Sequence, residues 1–416
     1  MQINTTSIMD KDMVEKESDE SSKTSVHIGI NKFINWLNSN GYYSYDQYDF
    51  WSTTYGIKAK SLYYKNKVLG APFVAPIFLS EIFFPKFRKA FVTKKRFPIA
   101  DAHFILAYLN LFQLTSKQDY LLEAEKIAEN LLKSSVPGFS GNCWGYHFNW
   151  MTTRWLWNSQ IPLITTTGYC FEAFLKLYDI TSNKKYLDIA HSVFLFTLND
   201  LIDTPIEKNV SSGSYSPIDN SHLVNANAYR SFVLVEGSKR FDNKEALKKA
   251  NLNLNFILKS QNPDGSWKYA TNDERDNFVD NFHTCFVLKN LYKANCILKD
   301  ERISEAIRKG FNFYKKNLLD NDRRPLPFAK LSRLNIVKRE LYDYAEGISL
   351  CLLLQFNDPD TKKIMRGMVE DVINLYQNEN GSFITRINIF NIPNKIPYLR
   401  WPQAQLFFAL TNYLKN

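Results

Sequence analysis

The sequence predicts an all-α domain in which six helical hairpins are arranged in a ring. Three observations predict it. An apolar helix, a short turn and an amphipathic helix recur along the chain at intervals of about sixty residues. The last copy, near the C-terminus, has its apolar helix but no amphipathic partner. A lone amphipathic segment stands ahead of the first copy, and its tail matches the tails of the other amphipathic helices.

The first hairpin runs from Asp101 to Phe112, turns at Thr115-Ser116 and returns from Asp119 to Leu132. Its first helix is apolar on nearly every face, as an inner helix buried on both sides must be. Its second carries Leu121, Ala124, Ile127, Ala128 and Leu131 on one stripe and charges on the other, the pattern of a half-exposed outer helix. The second copy begins at Thr167, turns at Thr181-Ser182-Asn183 and returns to Leu198. The third begins at Asn225, turns at Phe241-Asp242-Asn243 and ends at Leu258. The fourth begins at Asp280 and returns to Leu318, and the fifth begins at Asp343 and returns to Tyr376. The sixth begins at Arg400-Trp401-Pro402, and its outer partner is missing. Ile28 to Asn40, followed by Gly41-Tyr42, resembles the outer-helix tails at Gln261–Trp267 and Gln377–Phe383. Pairing the N-terminal helix with the C-terminal one therefore closes the ring without capping repeats. A linear superhelix, the alternative, would need polar caps at both ends.

The domain is expected over residues 26–416. Residues 1–25 are polar, carry no signal-peptide pattern and are expected to be a disordered tail. No apolar run reaches the length of a membrane span. Val68 to Phe84 comes nearest, contains Pro72, Pro76 and Glu81, and is followed by a basic cluster ending at Arg96. That combination suits either peripheral contact with an anionic membrane or a packed cover over the ring. The net charge of +10 favours anionic partners. Without a zinc finger, an RNP pattern or a basic recognition helix, specific nucleic-acid binding is not expected. Most of the five cysteines read as small core residues in helices, and their odd count and lack of close pairing suit reduced thiols of a cytoplasmic protein.

In such a ring the inner helices share one direction, so their N-terminal ends and the loops before them converge on one face. Candidate acids and bases there are Asp101, His147, Asp280, His283, Asp343 and Glu346. Asp280 and His283 stand three apart at a helix start and can face one site. Separated carboxylates are what glycoside chemistry needs, one to protonate and one to activate water or attack. Asp280 and Asp343 also fit the plainer role of N-cap. Aromatic residues reach 15%, and the loop from Gly141 to Trp155 is dense in them. Trp144, Tyr146 and Trp150 with Arg154 suit a sugar platform with a polar anchor, or a plug in the ring mouth. Trp267, Arg400 and Trp401 extend the set. Cys143, His147, His283 and Cys285 do not make a zinc site, because Cys285 lies about 200° around its helix from His283. Neither a metal nor a cofactor is expected.

The hairpins resemble the (α/α)6 toroid superfamily of six-hairpin glycosidases, glycan lyases and sugar epimerases, with terpenoid cyclases more distant. Cys143-Trp-Gly-Tyr-His-Phe-Asn-Trp, Asp280-Asn-Phe-His-Thr and Tyr398-Leu-Arg-Trp-Pro-Gln-Ala-Gln resemble a toroid family encoded in bacterial capsule and O-antigen loci, a family that implies a pathway more than a reaction. The similarity spans residues 27–416. Gln261 to Trp267 is similar to the glutamine–tryptophan repeats of triterpene cyclases, but their Asp-x-Asp-Asp motif is absent. The paired zinc motifs of lanthionine cyclases are not reproduced. The resemblance implies an enzyme (hydrolase, lyase or epimerase) acting on a bacterial surface polysaccharide or its precursor, acidic or lipid-linked. The alternatives are a non-catalytic glycan-binding or scaffold protein of polysaccharide assembly, and an isoprenoid-binding toroid.

Overall fold

The computed structural model describes residues 6–153, 155–272, 277–331, 335–355 and 360–416. The inner helices are α4 (Pro98–Thr115), α6 (Ile164–Thr181), α8 (Val224–Arg240), α10 (Asn281–Leu298), α12 (Leu341–Leu354) and α14 (Gln403–Lys415). They touch one another in that order, and α14 returns to α4. Each is buried on almost every face: in α12 every residue from Leu341 to Leu352 is buried. The outer helices are α5 (Gln118–Lys133), α7 (Lys184–Asn199), α9 (Lys244–Lys259), α11 (Glu301–Asn317) and α13 (Asp360–Leu375). They bury one stripe only; in α11 it is Ile303, Ala306, Ile307, Gly310, Phe311 and Tyr314. Left-handed residues at Ser116, Ser182 and Lys299 end α4, α6 and α10 and start the sharp return. The chain is an (α/α)6 toroid.

The N-terminal helix α1 (Thr6–Asn40) lies against α13 and α14. Phe33 packs on Phe383 and Phe407, with ring centroids 5.5 and 5.1 Å away. The tails of the outer helices explain its position. Gln261, after α9, donates from Nε2 to the Ala306 carbonyl of the next outer helix at 2.9 Å. Gln377, after α13, makes the same bond to Gly29 of α1 at 2.8 Å. α1 thus stands beside α13 as α11 stands beside α9. It begins inside the stretch whose composition suggests a polar tail, and Ser22 is already buried, 3.2 Å from the Tyr413 hydroxyl.

Each tail then turns back under its hairpin. Gly265 has φ +91°, and a Cβ there would lie 2.4 Å from the Lys309 carbonyl oxygen. Both facts demand glycine. Gly265→Ala is expected to cost about 1–3 kcal/mol, read from urea denaturation with an unchanged slope. A cost near zero would mean that the tail can move away from α11.

Two features lie outside the hairpins. Between α1 and α4 the chain forms α2 (Thr54–Lys65), α3 (Lys67–Phe83) and a 3-10 turn (Pro85–Ala90). Pro72 and Pro76 fall inside α3 rather than ending it. No helix among the described residues is long and apolar enough to cross a membrane. Short antiparallel ladders also lie on the loops, beyond an all-helical expectation. Val279–Asp280 pairs with Phe328–Lys330, and Val337–Glu340 pairs with Arg386–Asn388. These ladders fix the residues that precede α10 and α12.

Candidate active site

A cavity of about 560 Å³ opens where the inner helices begin. Ile99 of α4, Thr165 of α6, Asn225 of α8, His283 of α10 and Asp343 of α12 all reach it, with Trp401 just before α14. Its size suits a small organic ligand or a short oligomer.

Asp343 stands in the first turn of α12 and is 1% exposed. Neither carboxyl oxygen has a hydrogen-bond partner. The Phe282 amide approaches it without reaching hydrogen-bond geometry. Burial pushes its pKa well above the carboxylate range, and the nearby charges of Glu340, Asp280 and Glu346 push it further. Burial and these charges therefore favour the neutral form of the Asp343 carboxyl at the cavity wall.

Asp280 stands at the N-cap position of α10 without a side-chain cap bond, and its carboxylate accepts a hydrogen bond from His283 Nδ1 at 2.7 Å. That bond leaves Nε2 as the basic atom of the ring. His283 is wedged between Tyr269 and Phe282, ring centroids 4.5 and 4.3 Å away, and keeps a 20% exposed edge. A carboxyl pushed toward its neutral form and a carboxylate-oriented imidazole thus line one cavity, an arrangement that can support general acid–base chemistry.

Aromatic rings form the walls. Trp401 stacks on Tyr342 at 3.7 Å with planes 8° apart, and Tyr48 stands edge-on to Trp150 at 4.6 Å. Arg400 grips Asp46 through two bonds of 2.5 and 2.8 Å and lies against the rings of Tyr146, Phe148 and Trp401. Arg386 pairs across the ladder with Glu340 at 3.0 Å and donates to Gln47. Among the described residues, both arginines that line the cavity are therefore already matched by a carboxylate.

Among the sequence candidates, Asp280, His283, Asp343, Tyr146, Trp150, Arg400 and Trp401 line the cavity. Arg154 lies outside the described residues. The rest do not line it. Glu346 sits one helical turn deeper on α12 and forms an ion pair with Lys289. Asp101 is buried against Arg96 at 2.7 Å, and its pKa is pushed up to about 7, chiefly by burial. His147 adopts φ +61° and donates from Nδ1 to the Arg96 carbonyl at 3.1 Å; burial lowers its pKa. Trp144 and Trp267 are core posts. Their indole N–H groups donate to Leu131 and Ile257 carbonyls of the preceding outer helices at 2.8 and 3.0 Å. Sequence reasoning missed Glu340, Arg386 and Tyr48. Glu340 carried one signal, its place three residues before Asp343 at the start of a helix.

No protein-family model matches the chain. No curated protein matches it either. Solved structures do. A sugar epimerase from a ruminal bacterium aligns with TM-score 0.58 and 13% identity over 76% of this chain and 87% of that one. Cellobiose 2-epimerase from Bacillus thermoamylovorans gives 0.59 and 11% over 76% and 87%. An unsaturated glucuronyl hydrolase specific for heparin gives 0.56 and 13% over 77% and 87%. These proteins share the toroid fold with this chain.

Proposed function

We propose that the protein is a carbohydrate-active enzyme that transforms a sugar in this cavity by general acid–base catalysis. Asp343 delivers the proton, and His283, oriented by Asp280, removes one. The unpartnered, uncharged carboxyl of Asp343 facing the cavity beside that pair carries the reading, because a buried acid without hydrogen bonds costs stability that a purely structural role does not repay. The neighbours in fold bear sugar-epimerase and glycan-hydrolase names, which supports the substrate class. The stacked Trp401–Tyr342 plate and the crossed rings of Tyr48 and Trp150 suit the apolar faces of sugar rings.

The substrate class we propose is a bacterial surface polysaccharide or its precursor, handled in the cytoplasm. Because Arg400 and Arg386 already hold carboxylates, the anionic part of an acidic or lipid-linked substrate belongs at the mouth rather than in the floor.

The test is an NMR screen of uronic acids, disaccharides and glycan oligosaccharides in heavy water. Deuterium uptake at a sugar carbon marks epimerisation or isomerisation, new reducing ends mark hydrolysis, and a new double bond marks a lyase. Binding without any of the three would reduce the protein to a glycan-binding module. For whichever sugar reacts, Trp401→Ala is expected to raise KM or Kd about three- to tenfold through loss of stacking, with a smaller change in kcat. An unchanged KM would remove the plate from the binding site.

A further inference from the structure

An exposed apolar surface lies beside the mouth of the cavity. In α3, Lys67 and Glu81 are the only charged residues of seventeen. A helix of that composition is buried elsewhere in this ring, yet here Val68 is 83% exposed and Leu69 61%. Phe73, Leu79, Phe83, Phe84, Phe87 and Phe91 are also exposed along α3 and the turn after it. The patch continues onto a second element. Phe83 meets Phe390 at 6.3 Å, and Ile389, Phe390 and Ile392 at the tip of the loop after Asn388 are exposed too. Scattered exposed apolar residues need no explanation, but a contiguous patch spanning two elements does.

The charge around the patch has one sign. From Thr53 to Arg96 the chain carries ten Lys and Arg and one carboxylate, Glu81. That carboxylate is neutralised by Arg88, which is fully buried and also bonds Asp49 at 2.6 Å and the Asp46 carbonyl at 2.5 Å. Arg88 thereby fastens the hairpin to Asp46, the residue that Arg400 holds. Lys58, Lys65, Lys67, Lys86, Lys89, Lys94 and Lys95 remain exposed. The foot of the hairpin belongs to the cavity, since Tyr64, Phe78 and Glu81 are among its lining residues.

We propose that the α2–α3 hairpin, the turn after it and the Ile389–Ile392 tip dock on an anionic lipid surface. The aromatic tips enter the boundary between headgroups and acyl chains, and the lysines meet the lipid phosphates. Protruding rings ringed by cations match such a surface. At seventeen residues α3 lies on the membrane rather than through it. The cavity mouth then opens along the headgroup layer. Combined with the sugar reading, this position suits a lipid-linked glycan, whose phosphate stays with the lysines while its sugar enters the ring. Docking itself does not depend on that reading.

The test is co-sedimentation of the full chain with vesicles of phosphatidylcholine alone, and of phosphatidylcholine mixed with phosphatidylglycerol. Binding to the mixed vesicles is expected, weakening as salt is raised. Replacing Phe84 and Phe87 together with Ser is expected to weaken it about tenfold or more. Exchanging Lys86 and Lys89 for Glu is expected to weaken it on mixed vesicles and to leave any residual binding to neutral ones unchanged. All four side chains are exposed, so circular dichroism and the thermal midpoint should not move. Absence of binding to the mixed vesicles, or binding unaffected by the Phe changes, overturns the proposal. So does a concentration-dependent dimer in light scattering that the Phe changes abolish, without vesicle binding, since the face would then serve a second copy of the chain. Turnover of a soluble sugar by the Phe variant is expected to match the parent, which keeps this test separate from that of the sugar reading.

Discussion

Asp343→Asn is expected to lower turnover by about 10²–10⁴-fold while leaving the ring folded and more stable than the parent at neutral pH. The two halves of this result have one cause. The Asp343 carboxyl is 1% exposed, has no hydrogen-bond partner and stands near Glu340, Asp280 and Glu346, so the folded protein keeps it protonated well above the usual range. The unfolded chain releases that proton at ordinary carboxylate pH. The folded state therefore binds more protons, and this residue's contribution to stability falls as pH rises from the unfolded value through the raised one. Asn reproduces the neutral form and removes the slope. The thermal midpoint of the variant should accordingly exceed that of the parent by more at pH 8 than at pH 5, as active-site residues that trade stability for chemistry do. Turnover equal to the parent, or a variant less stable than the parent at every pH, would remove Asp343 from the role of acid.

The ring was legible in the sequence because its rules are local. An inner helix buried on all sides reads as an unbroken apolar run, as in α4, and an outer helix reads as a stripe, as in α11. The position of α1 was legible because the last inner helix lacks an outer partner and the tail of α1 from Gly41 resembles those at Gln261–Trp267 and Gln377–Phe383; the bonds from Gln261 and Gln377 to the next outer helix bear the placement out. The same repeat contained a warning about Trp267. Phe383 occupies the corresponding place and is fully buried, so the position is a core post whatever aromatic fills it. Trp144 reads as a sugar platform for the same reason and is likewise a core post, because composition cannot say which side of a loop faces the cavity.

The cavity lining was legible where it sat at or just before the first turn of an inner helix, as with Asp280, His283 and Asp343. It was not legible where residues distant in the chain meet. Glu340 and Arg386 are partners across a short ladder, and Tyr342 and Trp401 stack across the junction of α12 and α14. Such pairings exist only once the ring has formed. Asp101 also stands in the first turn of its helix, but it pairs with Arg96 and does not line the cavity.

Glu346 separates the two kinds of carboxylate on α12, and its partner offers the second large effect. Lys289 on α10 and Glu346 form an ion pair with both side chains almost fully buried, and Lys289 also approaches the Tyr169 hydroxyl at 3.5 Å. Burial alone would lower the Lys289 pKa and raise that of Glu346; the pair works against both changes, and Lys289 ends above its ordinary value. Lys289→Met leaves a carboxylate buried without its cation and is expected to destabilise the ring by about 3–5 kcal/mol in chemical denaturation. Adding Glu346→Leu removes the stranded charge, so the double variant is expected to recover most of that loss. A neutral Lys289→Met would mean that water or a neighbouring group already serves Glu346. The double variant also decides between support and chemistry. If it folds stably and turns the sugar over within about tenfold of the parent, Glu346 acts only by holding α10 and α12 together beneath the cavity. If it folds stably and its turnover falls as far as that of Asp343→Asn, the proton route runs one turn deeper than the cavity wall, through Glu346 and Lys289.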